Sequence, residues 1–449
     1  MIELTEGQSN CLNAMEDFMV SDENKFLIQG WAGTGKSYLI THFIKGLLEN
    51  GQHRIAMTAP TNKAVSVLGG YIDDSRVKLS TIHSLMGLRA HIDRDGSMKF
   101  NQADKVKVAK YDVIVIDEAS MINDDLLLGN KHIVGLFEII ADLTTKIIFV
   151  GDAAQIPPVG KDNSIPMSEK GREKYSIFTE TLDEVVRQAG GNPIIKLATG
   201  VRNAIGRDIL IPIRKSHILC GVGYKFMDYD NLNEYLRKYF TSPQFTDSLN
   251  FVKIIAWRNK TVDKYNVIVR SMIYDNPAKI CIGERLIAKD IILSPDGSNV
   301  LLTINSEFVV GSFEIKKTTH DEAVLTYYAA KVYHYNMEGD KVVTDIRIIH
   351  EDSEEDYQLI KNYYLAEAKV AKKGSFESAT YWKKYYNIGQ VFASVKYSYA
   401  ITAHSSQGST YTNAFVLEDD MDANFTIVER NRIKYTAFTR PSKRLLIIK

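Results

Sequence analysis

At 449 residues the chain exceeds what one ordinary hydrophobic core accommodates, so two or more domains are expected. Hydrophobic residues make up 45% and charged residues 24%, which excludes a disordered chain and sets the expectation of a sizeable core. Lysine plus arginine equals aspartate plus glutamate at 55 each, so any nucleic-acid affinity must come from local patches and not from global charge. Cys11, Cys220 and Cys281 lie far apart without a C-x-x-C pair, which indicates neither a disulfide framework nor a zinc knuckle. No apolar run reaches a membrane-spanning length, and Met1 to Gln8 has no basic region leading into an apolar one; the expectation is an untargeted, cytoplasmic protein.

In chain order, the first buried-strand signal is Lys25 to Gln29. Gly30-Trp31-Ala32-Gly33-Thr34-Gly35-Lys36-Ser37 follows it and opens a helix, matching G-x-x-x-x-G-K-[ST] in the required context. The N–H groups of Gly33, Thr34 and Gly35 and of the helix start would cradle phosphate oxygens. Lys36 would reach the β- and γ-phosphates, and the Ser37 hydroxyl would ligate magnesium.

Arg54 to Ala59 reads as a second strand. Leu88 to Phe100 alternates around Asp93-Arg94-Asp95-Gly96, a turn signal that predicts a β-hairpin. Val113 to Ile116 is the next strand, and Asp117 and Glu118 close it. Alone, such a pair reads as two solvated carboxylates. Beside a phosphate loop, Asp117 can hold magnesium through water and Glu118 can polarise the attacking water. After the strand Lys146 to Val150, Gly151-Asp152-Ala153-Ala154-Gln155 sets the neutral amide of Gln155 where it could sense a γ-phosphate or orient water; in isolation it is an ordinary turn.

Val252 to Ala256, Tyr399 to Ala403, Asn413 to Leu417 and Arg444 to Ile448 repeat the strand style, with a long insertion between the first two. Within it, Ser306 to Ile349 alternates with period two and has turn signals at Thr318 to Asp321 and Glu338 to Asp340, suggesting a small antiparallel barrel. Ser353 then starts a helix, with Asp356 three residues on, Lys369, Lys372 and Lys373 in the last turn and Gly374 as stop. Its roughly 21 residues would span about 30 Å. Tyr381 to Tyr386 is a second, aromatic and basic, helical stretch.

Gln8, Gly30 to Ser37, Ala59-Pro60-Thr61, Thr81-Ile82-His83-Ser84, Asp117 to Ser120, Gly151 to Gln155, Arg187, Thr402 to Gly408 and Tyr435 to Arg440 together resemble the ordered motif series of superfamily 1 helicases, over the whole chain. The length, hairpin, small barrel and helical projection are similar to the bacteriophage Dda-type helicases of the 5′-to-3′ subfamily, superfamily 1B. The resemblance implies an α/β fold of two RecA-like parallel-sheet lobes. The first would be 1–84 and 107–188 with a hairpin pin at 85–106; the second would be 189–282 and 394–449, carrying an SH3-like barrel and helical tower at 283–393.

It further implies an ATP-dependent DNA helicase that uses magnesium, acts as a monomer on single-stranded, forked or tailed DNA, and works in replication, recombination or repair, in a host's cytoplasm if of phage origin. Gln8 resembles the adenine-reading glutamine, and Arg187 and Arg440 resemble two arginine fingers facing the γ-phosphate. Pro60, Thr61, Thr81 and His83 would line DNA on the first lobe; Asn259, Thr402, His404 and Ser405 would line it on the second. Gln407 and Gly408 would couple DNA to nucleotide. Phe100 or Met98 would be the wedge that stacks on the terminal base pair, although Phe100 equally suits hairpin core. Trp31 and Pro441 depart from the family pattern, where small residues are usual. Two other readings stay open: a translocase that displaces bound proteins without efficient unwinding, and a nucleotide-gated binding switch.

Overall fold

The computed structural model describes residues 4–449 except 52, 73, 93–97, 103, 159–162, 187–190, 208, 212–214, 276–277, 295–299, 321–322, 337–339 and 373–374, and describes the backbone alone for 89–92, 98, 99 and 390. The chain divides into two compact units. One comprises Met1–Arg89, Phe100–Tyr265 and Ala400–Lys449; the other comprises Ala90–Lys99 and Asn266–Tyr399.

The first unit holds two six-stranded sheets. Six strands build the first: β1 (Lys25–Gly30), β2 (Ile55–Ala59), β3 (Val77–Thr81), β4 (Val113–Ile116), β5 (Lys146–Gly151) and β6 (Phe178–Leu182). Their order is β6-β1-β5-β4-β2-β3, and every pair is parallel. Strands β2, β4 and β5 are buried at every residue, as parallel strands covered on both faces must be, which is why their apolar runs are continuous. The edge strands β3 and β6 are partly exposed and carry no such run, so the sequence did not announce them. β2 begins one residue later than expected; the Arg54 N–H instead donates to the Asp112 carboxylate at 2.8 Å. The helices α1 (Glu6–Val20), α2 (Lys36–Asn50) and α3 (Asn62–Gly69) belong to this half. Thr5 and Gln8 form a reciprocal capping box on α1, and the Thr61 hydroxyl caps α3.

The second sheet contains β7 (His217–Leu219), β8 (Val222–Met227), β9 (Val252–Ala256), β10 (Ala400–Thr402), β11 (Tyr411–Leu417) and β12 (Pro441–Ile448), in the order β7-β8-β12-β11-β9-β10. Only β7 with β8 is antiparallel. Helices α4 (Pro193–Ala204) and α6 (Ile427–Phe438) pack together, and α5 (Asn259–Ile273) leads out of β9. The core of α6 is unusual: Lys434, 2% exposed, sits between Glu418 at 2.6 Å and Asp422 at 2.7 Å. Breaking such a buried pair by removing one partner costs about 3–5 kcal/mol, so this network fixes α6 in place.

In the second unit the barrel expectation meets a five-stranded antiparallel sheet, ordered Lys341–Ile349, Ala323–Tyr335, Glu307–His320, Arg285–Ala288, Val395–Tyr397. Phe308, Val310, Tyr328, Val332, Ile346 and Ile348 fill its core. The helix after it runs Glu354–Val370, shorter than expected, and its side-chain cap is missing because the Ser353 hydroxyl accepts the Thr326 N–H at 2.9 Å instead. A second helix, Phe376–Val391, packs against it and extends well beyond the stretch Tyr381 to Tyr386. The hairpin strands Leu88–Ile92 and Met98–Gln102 pair as a two-stranded sheet; its turn, Asp93 to Gly96, lies outside the described residues. Among the described residues no helix is long and apolar enough to cross a membrane.

Candidate nucleotide and nucleic-acid site

Strands β1, β5 and β4 are consecutive and parallel, so the loops leaving their carboxyl ends meet at one edge, where open α/β sheets bind ligands. The glycine-rich loop leaves β1. Gly33 and Gly35 take φ values of 84° and 78°, which L side chains avoid. Lys36 Nζ donates to the carbonyls of Gly30 at 2.9 Å and Trp31 at 3.1 Å. Gln8 is buried against the loop: its Nε2 donates to the Thr34 carbonyl at 3.1 Å while its Oε1 accepts the Thr5 N–H at 3.1 Å. Val186 N–H donates to the Gly33 carbonyl at 3.0 Å, and Arg187, next in the chain, lies outside the described residues.

At the end of β4, burial first and the neighbouring Glu118 second push the Asp117 carboxyl up to about 7, against the opposing charge of Lys36. Glu118 has left-handed backbone geometry (φ 51°, ψ 42°), a strain of about 1–3 kcal/mol of the kind that collects at functional sites. The donors Ser37 Oγ and Asp117 fit a magnesium ion, a hard cation bound through one or two protein oxygens with phosphates and water completing its octahedron. A cation there would oppose the burial and the repulsion that hold the Asp117 proton. No group of three or more potential ligand side chains occurs among the described residues.

The loop leaving β5 bonds to α6 and to the turn after β10. Asp152 is fully buried; its Oδ1 accepts the Ala154 N–H at 2.9 Å and its Oδ2 accepts the Tyr435 hydroxyl at 2.6 Å. Burial holds this carboxyl above the usual range, opposed by Lys36, the Tyr435 bond and Arg440. The same Tyr435 oxygen accepts the Ala32 N–H of the phosphate loop at 2.9 Å. Ile156 N–H donates to Thr436 Oγ1 at 3.1 Å, and Gln407 Nε2 donates to the Ile156 carbonyl at 2.9 Å. Gln155 is buried, and its Oε1 has no hydrogen-bond partner among the described residues. Arg440 is buried too, donating to the carbonyls of Thr436 and Ser409 and to the Thr439 hydroxyl. Two groups hold Trp31: its Nε1 donates to Asp183 at 3.0 Å, and the Arg202 guanidinium of α4 lies 4.6 Å over its ring.

The polar residues expected on DNA sit in the turns after β2, β3, β9 and β10. Pro60 and Thr61 precede α3, and Thr81 Oγ1 caps the short helix Ile82–Leu85. His83 lies 4.4 Å from the Phe100 ring centroid, and burial lowers its pKa to about 4, so it is neutral. Phe100 also packs on the core that includes Leu85 and Val108, while the Met98 side chain is outside the described set. Asn259, exposed, starts α5 beside a turn gripped by Asp420, which accepts the N–H groups of Trp257 at 2.7 Å and Arg258 at 2.8 Å. Thr402 Oγ1 accepts the Ser405 N–H at 3.2 Å, and burial lowers the pKa of His404. Gly408 has φ 67°, and a Cβ there would meet the Ala64 Cβ at 2.9 Å, so α3 and this turn approach as closely as glycine permits.

Sequence reasoning gave no role to Asp152, Tyr435, Thr436 or Asp420. The first three lie inside quoted motifs, but their partners are up to 403 residues away in sequence, and Asp420 sits in an acidic run that reads as solvated surface.

A parallel sheet that brings a glycine-rich loop, an acidic strand end and a third polar loop to one edge is that of a P-loop nucleoside triphosphatase. The AAA domain family matches residues 3–209, and the UvrD-like helicase C-terminal domain family matches 397–448. The chain is 26% identical over 494 residues to a protein of Acanthamoeba polyphaga mimivirus, covering 96% of this chain and 97% of that one. It is 27% identical over 432 residues to the ATP-dependent DNA helicase dda of Enterobacteria phage T4, covering 92% of each. The Pif1 helicase structure from Candida albicans aligns with a TM-score of 0.48 at 16% identity, over 100% of this chain and 94% of that one. The two family matches and the phage relative support a superfamily 1B helicase, an ATP hydrolase.

Proposed function

We propose that this chain is an ATP- and magnesium-dependent DNA helicase that moves 5′ to 3′ on single-stranded DNA as a monomer and opens duplex at a fork or tail. The observation that carries this is the direct bonding of the β5 loop to Gln407, in the turn after β10, and to Tyr435 and Thr436 of α6. It ties the phosphate-facing edge to the turn that holds Thr402, His404 and Ser405. Polarity and the replication or recombination setting rest on the resemblance of the motif series to the 5′-to-3′ subfamily.

In this reading Gln8 reads adenine; Gly33, Thr34, Gly35 and Lys36 hold the phosphates; Ser37 and Asp117 hold magnesium, which neutralises charge on the transferring phosphoryl group. Glu118 takes the proton of the attacking water, Gln155 orients that water, and Arg187 and Arg440 approach as the lobes close. Such arginines contribute on the order of 10³ to 10⁵ in rate where measured in other systems. Pro60, Thr61, Thr81 and His83 on one side and Asn259, Thr402, His404 and Ser405 on the other grip the strand in alternation, with Gln407 and Gly408 between. We assign the lobes to 1–84 with 107–188 and to 189–282 with 394–449, the pin to 85–106, and an SH3-like barrel with tower to 283–393.

Lys36→Ala is expected to abolish ATP hydrolysis and unwinding while leaving single-strand binding; retained hydrolysis would overturn the assignment. Unwinding is expected on a duplex with a 5′ tail and not with a 3′ tail, and the reverse pattern would refute the polarity. The packing of Phe100 on His83 and the core favours one second reading, a translocase that displaces bound proteins without efficient unwinding. A forked duplex compared with a streptavidin-blocked single strand separates the two.

A further inference from the structure

We propose that Tyr435 senses the terminal phosphate of bound nucleotide for the second sheet, because its hydroxyl oxygen and a phosphate oxygen compete for one donor, the Ala32 N–H. The inference rests on the nucleotide-site reading above and deepens it.

Ala32 lies within the loop whose N–H groups cradle phosphate. A backbone N–H has one proton to donate, and here it donates to Tyr435 Oη at 2.9 Å. Tyr435 is 1% exposed and sits on α6, in the second sheet's half of the unit. Its own proton is committed elsewhere, to Asp152 Oδ2 at 2.6 Å. Burial and the Asp152 carboxylate both hold the phenol in its protonated form, so the hydroxyl presents a proton to Asp152 and a lone pair to Ala32.

The Asp152 side of this arrangement belongs to the loop that carries Gln155, between the glycine-rich loop and the acidic end of β4. A phosphate oxygen that takes the Ala32 N–H on this side would lie at the hydrolysed end of the nucleotide. ADP lacks that terminal phosphate.

Exchange of acceptors at Ala32 would release Tyr435, and Tyr435 does not move alone. Thr436, next on α6, accepts the Ile156 N–H through its hydroxyl and Arg440 Nε through its carbonyl. Withdrawal of the tyrosine thus shifts the helix turn on which the Arg440 guanidinium is held. The chain of contacts runs from phosphate loop to α6 to Arg440 and needs no other element.

Tyr435→Phe keeps the ring and removes only the competing oxygen. Binding of ADP and of a non-hydrolysable ATP analogue, each with magnesium, is measured by calorimetry on the full chain. The analogue is expected to bind several-fold tighter to the variant than to the parent, with ADP affinity unchanged. In steady state KM for ATP should fall and kcat fall with it, a split that simple loss of stability does not produce. Equal shifts for both nucleotides, or none, would overturn the inference. If the phenylalanine variant does not fold, Asp152→Ala carries the test, since loss of the acceptor at Oδ2 frees the hydroxyl from its fixed orientation and should again tighten the analogue over ADP. A parent chain that binds neither nucleotide refutes the nucleotide site itself, which distinguishes that failure from failure of the tyrosine's role.

Discussion

Asp117 holds a proton in the folded chain at pH values where an ordinary carboxyl has lost it, because burial and Glu118 lift its pKa to about 7. Between the ordinary carboxylate range and about 7 the native state therefore binds more protons than the unfolded chain, and stability from this group falls as pH rises through that window. Above about 7 the penalty is complete. Asp117→Asn cannot ionise, so its unfolding midpoint relative to the parent should rise more at pH 8 than at pH 5; an equal difference at both would show that Asp117 does not titrate there. The motif announced Asp117 as an acid at a strand end, but its raised proton affinity follows from packing that no local pattern reports. The same holds for Gln8, whose place at the loop was legible while its service in a capping box and to the Thr34 carbonyl was not.

In the first sheet the central strands were readable and the edge strands were not, while in the second the edge strand β10 was read and the partly exposed interior strand β8 was not. A strand covered on both faces must be apolar throughout, as Ile114 to Ile116 are, whereas β3 alternates and β6 is half exposed. Helix ends were less legible: Ser353 has the residue type of a cap, yet a nearby strand claims its hydroxyl. The hairpin raises a separate question of role. Phe100→Ala removes a half-buried ring from His83 and the core and should cost about 1–3 kcal/mol. As a wedge residue it should also lose unwinding by on the order of tenfold more than DNA-stimulated ATPase. Equal losses in both assays would leave Phe100 a packing residue.

For the molecule as a whole, equal numbers of acidic and basic residues leave DNA affinity to polar contacts. Burial lowers the pKa of both histidines proposed on the track, so they can stack or donate but bring little charge. Single-strand affinity should accordingly fall only gently with salt, at a log-log slope near −0.7 per phosphate neutralised. A steep slope would point to a basic surface instead. The order of motifs could be read in the sequence because each follows its own strand, but the contacts joining β5 to α6 depend on which strands become neighbours across hundreds of residues.

Trp31, unusual for a phosphate loop, also gives the chain an optical property. Its indole is fixed by Asp183 at one edge and covered by the Arg202 guanidinium on its face, one residue from Ala32. With only three tryptophans in the chain, a change in that covering would register as a change in native emission. The nucleotide loop thus carries its own fluorescent reporter of the approach of α4, with no label to be introduced.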